Sequence, residues 1–264
     1  MPLVLSIFLW LLPIVTALLF VGRVWWTPDL ASIHGRSIDD QLALALIVAG
    51  TIFVLAHFAL GYFIWRYRAS GSERALYWRE HPKLEAAWTI ATAILFIGLG
   101  IEGNRVWAGY ARESMPSDVV RIEVTAQQFA WNFRYPGPDG RFGRTDPRLI
   151  DDSLGNYIGI DPDDSAGEDD IVTQNLAAVP VNRAVEVTLR AKDVTHSFFV
   201  PQFRVKQDAV PGLSIPVHFT AKAAGEYEVA CAELCGMQHH KMRGRLQVMS
   251  EAEFQSWLRS RAAL

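Results

Sequence analysis

Three long apolar runs occupy the front of the chain, and they restrict its fold more than any other feature. Residues 3–22 are apolar almost throughout. Residues 42–65 are interrupted only by His57, and residues 84–103 carry Glu85 near one end and Glu102 near the other. Each run reaches the roughly 20 residues that a bilayer-spanning helix requires. Inside hydrocarbon a segment must satisfy its own backbone N–H and C=O groups, so each run predicts a helix. The first run also reads as a secretory leader. It lacks a basic segment ahead of it, Trp10 and Pro13 interrupt its middle, and no small-x-small cleavage pattern follows. A retained helix is the favoured expectation.

Charge sets the orientation. Arg66, Arg68, Arg74, Arg79 and Lys83 crowd the connection between the second and third runs. The positive-inside rule puts that connection in the cytoplasm and everything after residue 103 outside, which in a bacterium is the periplasm. Trp25 with Trp26, and Trp107 with Tyr110, fall where interfacial aromatic belts belong. The net charge of −3 implies no nucleic-acid partner. The chain has two cysteines, Cys231 and Cys235, which excludes a disulfide framework but leaves one bridge open.

From residue 119 the period of the pattern changes. Residues 119–125 and 129–135 alternate, the latter with aromatics on one face, and 185–189, 217–220, 226–229 and 244–248 read the same way. Short strands broken by Pro and Gly turns predict a β-sandwich or barrel. At the end, Ser250 and Glu253 form a capping box ahead of the apolar face Phe254, Trp257 and Leu258. The expected organisation is a helical membrane region over 1–110, an exported β domain over 111–250 and a terminal helix over 251–264. A polar insert, 136–170, holds ten acidic residues against three arginines. It reads as a solvated loop, as a surface that steers a basic partner, or as a cation site at Asp161, Asp163 and Asp164.

The chemistry lies in Cys231-Ala-Glu-Leu-Cys235-Gly-Met-Gln-His239-His-Lys-Met242, with His196 upstream in Asp193-Val-Thr-His196-Ser. Thiolate, imidazole and thioether donors suit copper, zinc or iron. Two Cys, two His and a Met exceed one tetrahedral ion and match two coppers bridged by both sulfurs. His196 and His239 would cap one copper each, with Met242 and the Glu233 carbonyl as weak axial donors. A structural zinc and a single blue-copper ion are the alternatives. His218 and His240 are not expected to be ligands, and His57 is expected to be packed and hydrogen-bonded.

These residues carry a resemblance. The Cys231–Met242 pattern, Asp193-Val-x-His196-Ser with Val200-Pro201 and Lys206-x-Asp208-Ala-x-Pro211-Gly212, Leu84-Glu85-x-x-Trp88-Thr89, and Gln128-x-x-Trp131 through Tyr135 together resemble subunit II of the haem–copper cytochrome c oxidases. The resemblance implies an α+β membrane protein: two to three transmembrane helices followed by a cupredoxin-like Greek-key β-sandwich. It implies a binuclear CuA centre in the bacterial inner membrane, with the sandwich in the periplasm. Electrons would come from a cytochrome c, soluble or complex-bound, and pass to haem in subunit I, which also carries CuB. There oxygen is reduced and protons are pumped; subunit III is a further partner. The CuA-bearing subunit of a membrane nitric oxide reductase is the alternative. Glu233 would also reach a Mg²⁺ shared with subunit I, and Glu85 would stand at the mouth of a proton pathway. Phe129 replaces the family's usual first Trp, so Phe129 and Trp131 are the candidates for receiving the electron. The replacement points to a donor held in a larger assembly, with the acidic insert as its docking surface.

Overall fold

The structure is a computed structural model that describes residues 1–24, 26–69, 77, 79–111 and 115–262; Trp25 and Arg74 lie outside the described residues. The chain divides into two compact units. One holds residues 1–26 and 37–113, and the other holds 27–36 and 114–264.

The first unit contains helices α1 (Pro2–Val21), α2 (Gly35–Arg66) and α3 (Pro82–Ala111). All three are long and apolar enough to cross a membrane. α1 runs through Pro13 without ending. α2 starts and α3 ends well beyond the apolar runs, because a helix already nucleated gains one backbone hydrogen bond for each residue added and so continues into the flanking segments at 37–41 and 104–106. α1 packs on α2 through a notch. The Trp10 indole N–H donates to the Phe58 carbonyl at 3.1 Å. A Cβ on Gly61 would lie 2.5 Å from that nitrogen, so only glycine fits there. His57 is satisfied locally, with Nδ1 2.8 Å from the Phe53 carbonyl.

The second unit is a two-layer β-sandwich. Strands β1 (Val120–Gln127), β2 (Ala130–Tyr135), β3 (Ile171–Gln174), β5 (Ala184–Ala191) and β8 (Ile215–Thr220) form one sheet, in the order β3-β2-β1-β5-β8. Strands β4 (Leu176–Pro180), β6 (His196–Val200), β7 (Val205–Ala209), β9 (Gly225–Cys231) and β10 (Arg243–Met249) form the other, in the order β4-β10-β9-β6-β7. The predicted strands all form. β1 buries Val120, Ile122, Val124 and Ala126 on its inner face, as its alternation requires. Trp131, Phe133 and Tyr135 of β2 face the same core. Helix α4 (Glu251–Ala262) begins at the predicted capping box: the Glu253 carboxylate accepts from Ser250 N–H at 2.9 Å, and Phe254 is buried.

β2 is buried on both faces, and the acidic insert is the reason. On its outer face Arg134 donates to Glu123 at 2.9 Å, to the Gly143 carbonyl at 2.6 Å and to Asp170, and its guanidinium lies over the Phe142 ring. Most of the insert's carboxylates build its own turns. Asp146 accepts from Arg148 N–H, Asp151 from Ser153 N–H and Asp164 from Ala166 N–H, while Asp161 pairs with Arg144 and Asp152 with Lys192. These hydrogen bonds hold the Asp146, Asp151 and Asp164 carboxyls below their ordinary range, so they stay charged while they shape the loop. Among the described residues, the insert holds no grouping of three or more candidate metal ligands.

One piece of the expected helical region folds elsewhere. Residues 27–36, between α1 and α2, form a strap on the sandwich. Ile33 N–H donates to the Thr220 carbonyl at 3.0 Å, Lys222 N–H to the Ala31 carbonyl at 2.9 Å, and the Ser32 hydroxyl to the Phe203 carbonyl at 2.8 Å. The connection between α1 and α2 therefore shares a compartment with the sandwich.

Candidate metal centre

His196 is the first residue of β6 and Cys231 the last residue of β9, and the register Phe198↔Cys231 brings these strand ends together. The other donors lie in the β9–β10 connection. Backbone bonds close that loop at its base: Cys231 N–H donates to the Met242 carbonyl at 3.2 Å, and Ala232 N–H to the Ser197 carbonyl at 3.0 Å. Within it, a 3-10 turn, His239–Lys241, turns His239 back toward the cysteines.

The donors converge. The two Sγ atoms are 3.8 Å apart, so the thiols are free and close enough to share a ligand. His196 Nδ1 lies 3.9 Å from Cys231 Sγ, and His239 Nδ1 lies 3.6 Å from Cys235 Sγ. Met242 Sδ is 3.8 Å from Cys235 Sγ, and the Glu233 carbonyl is 3.2 Å from Cys231 Sγ. Each sulfur thus has one imidazole and one weak donor beside it. His196, Cys231, Cys235 and Met242 are buried, and His239 is half-buried. Burial, and then the neighbouring Cys231 thiol, push the Cys235 thiol up to about 12. A thiol in that condition keeps its proton at neutral pH until a metal displaces it. Soft donors, close convergence and dry surroundings fit a copper pair.

Two residues that the sequence reading left without a role support the ligands. Asp193 Oδ1 lies 2.8 Å from His196 Nε2. The carboxylate fixes the ring proton on Nε2 and leaves the Nδ1 lone pair directed at the cluster. Burial would raise the Asp193 carboxyl. The hydrogen bonds from His196 and from the Gln128 and Val194 N–H groups outweigh it, and the carboxyl sits below its ordinary range. The second residue is Gln128, whose side chain donates to the Cys235 carbonyl. Both lie in quoted motifs, but only Asp193, three residues before a ligand His, carried a local signal.

The remaining candidates fall in different places. Trp131 is fully buried, its ring 6.2 Å from that of His196, so it flanks the cluster from inside the core. Phe129 is half-buried beside Gly236 and is the one of the two that reaches the surface. Glu85 is in the first turn of α3, its carboxylate accepting from His81 N–H at 3.2 Å. The Glu233 carboxylate is exposed, and the metal-ligand grouping found among the described residues is His196, Cys231 and Cys235. The expected Mg²⁺ therefore has no support. His240 is exposed, and His218 lies on β8 away from the ligand loop.

A β-sandwich that gathers thiols, imidazoles and a thioether at one edge, in a chain with three membrane-length helices, is a membrane-anchored protein with a soft-metal centre. Comparison with known proteins narrows this class. Residues 120–249 match the family model described as cytochrome c oxidase subunit II, periplasmic domain. The chain is 35% identical to the alternative cytochrome c oxidase subunit 2 of Bradyrhizobium diazoefficiens over 235 residues, 89% of this chain and 83% of that one. It is 31% identical to cytochrome c oxidase subunit 2 of Cereibacter sphaeroides, covering 83% of this chain and 73% of that one. Among solved structures, the periplasmic domain of subunit II of cytochrome oxidase from Bradyrhizobium japonicum is 30% identical, with a TM-score of 0.42 over 57% of this chain and 98% of that one. The chain belongs to the cytochrome c oxidase subunit II family. It is accordingly a subunit of a haem–copper oxidase complex, with its sandwich as the family's periplasmic domain.

Proposed function

We propose that this chain is the electron-receiving subunit of a haem–copper terminal oxidase of a bacterial inner membrane. It takes electrons from a cytochrome c, soluble or complex-bound, and delivers them to haem in subunit I for oxygen reduction coupled to proton pumping; subunit III completes the assembly. The observation that carries this reading is the paired arrangement of donors around two thiols 3.8 Å apart. His196, Cys231, the Glu233 carbonyl, Cys235, His239 and Met242 would hold two copper ions. When bound, such a pair supplies a one-electron store whose charge is shared between two metals.

The protein's own residues do the rest. Burial of Cys231, Cys235, His196 and Met242 excludes water. The Asp193 carboxylate orients His196. The half-buried Phe129 ring and the exposed Leu234 and Met237 side chains give the ligand loop an apolar rim suited to a close partner. Glu85, at the start of α3, would take up protons for subunit I.

The test is copper loading of the purified full-length chain. Two coppers per chain are expected, with an unpaired electron shared by two nuclei and therefore a seven-line EPR hyperfine pattern. A four-line pattern, or zinc bound in place of copper, would overturn the binuclear reading. Cys231→Ser and Cys235→Ser should each abolish the shared signal.

A further inference from the structure

The ligands come from two elements that the strand ladder joins only at the Cys231 end. His196 heads β6, whereas Cys235 and His239 lie in the β9–β10 connection. One residue of the opposite sheet bonds toward both. Gln128, in the turn between β1 and β2, donates its backbone N–H to Asp193 Oδ2 at 2.7 Å. The other oxygen of that carboxylate holds His196 Nε2 at 2.8 Å and accepts from Val194 N–H at 2.7 Å. The Gln128 side-chain amide reaches the other way and donates to the Cys235 carbonyl at 2.5 Å.

Gly236 makes room for this contact. Its φ is +138°, a conformation that L side chains rarely adopt, and a Cβ there would lie 2.7 Å from Gln128 Nε2 and 3.1 Å from Phe129 Cζ. The glycine after the second cysteine is thus explained by what stands over it. The chemistry at Gln128 is equally specific. A carbonyl needs a donor, which an ionised glutamate cannot supply. Asparagine is one methylene too short to span the gap.

We propose that Gln128 is a positioning residue that clamps the His196 imidazole and the Cys235 segment in register and so preorganises the pocket before metal arrives. The clamp rests on the copper reading above and adds a residue that touches no metal. Residues that hold ligands in this way govern how tightly a metal stays bound and how its electronic state is tuned.

The test uses the full-length chain with Gln128→Met, which keeps length and removes the donor, and Gly236→Ala, which crowds the amide out. Copper is loaded, then extracted with a chelator in excess, while EPR and the reduction potential are recorded and the metal-free proteins are melted. Extraction should be roughly tenfold faster in both variants. The hyperfine pattern should become less symmetric and the potential should shift, while Gln128→Met leaves the melting temperature of the metal-free protein unchanged. Wild-type rates and spectra in Gln128→Met would overturn the clamp. So would a fall in metal-free stability that fully accounts for the faster loss, because Gln128 would then act on the fold alone. A wild-type chain that takes up no copper pair would overturn the site reading first, and the clamp with it.

Discussion

Replacing Arg134 with methionine tests how the acidic insert is attached. The arginine side chain is 2% exposed and its partner Asp170 is fully buried. The substitution removes bonds to Asp170 at 3.0 Å, Glu123 at 2.9 Å and the Gly143 carbonyl at 2.6 Å, and a cation–π contact with Phe142 at 5.2 Å. It leaves Asp170 buried beside an apolar side chain. Removing one partner of a buried ion pair costs about 3–5 kcal/mol, mostly for the charge left behind. In a domain of this size that is roughly a 10 °C fall in Tm. Arg134→Lys keeps the charge but loses the planar fork, so about half the cost is expected. Restoring neutrality with Asp170→Leu on the Arg134→Met background should recover part of it. The assay is thermal and urea unfolding of the purified chain, followed by near-UV circular dichroism. Because buried pairs are little screened, the loss should persist at high salt. A cost below about 1 kcal/mol for Arg134→Met, or a cost that disappears in salt, would show that the insert does not hang on this cluster.

Acid should loosen the same insert by a different route. The Arg148 side chain holds Asp146 down to about 2, the Ser153 hydroxyl holds Asp151 below its ordinary range, and the Arg144 N–H does the same for Asp164. Folded values below the unfolded ones stabilise fully above about pH 4, and the contribution fades as pH falls through the folded values. The protection of the Arg148, Ser153 and Ala166 amides, taken as their exchange relative to an unstructured chain at the same pH, should therefore be high near neutrality and fall toward about pH 2; protection that grows on acidification would contradict the capping roles. Tyr135→Phe is the third case. The buried phenol donates to the Ala178 carbonyl at 2.9 Å and accepts from Ala178 N–H at 2.8 Å, and burial raises its pKa well above the ordinary value. Its loss should cost about 1–3 kcal/mol in urea unfolding, because two backbone groups are orphaned in the core, and an unshifted midpoint would refute that assignment.

The parts of this fold that were legible in the sequence are those with one wet face. β1 and β5 alternate because their outer residues meet solvent or the insert. β4, Leu176-Ala-Ala-Val-Pro180, is buried along nearly its whole length, so no period of two survives to be read. β7, Val205-Lys-Gln-Asp-Ala209, reads as polar because it is an edge strand paired only through β6. The ligand cluster was legible because spacing within one loop is a local property. Gln128 was not, since no spacing links a turn of one sheet to the carbonyl of a loop 107 residues away. Nor did hydropathy mark the strap at 27–36, whose short polar stretch resembles any connection between helices.

That strap fixes an order of events. Ser32 bridges to Ala221, so the strap waits for a partner made almost 190 residues after it. By then the helices on either side of it, α1 and α2, have long since been synthesised, and β8 meets a waiting edge rather than a free one. The edge of the sandwich is therefore closed by a segment made well before it, and the closure can form once β8 exists, with β9, β10 and α4 still to follow.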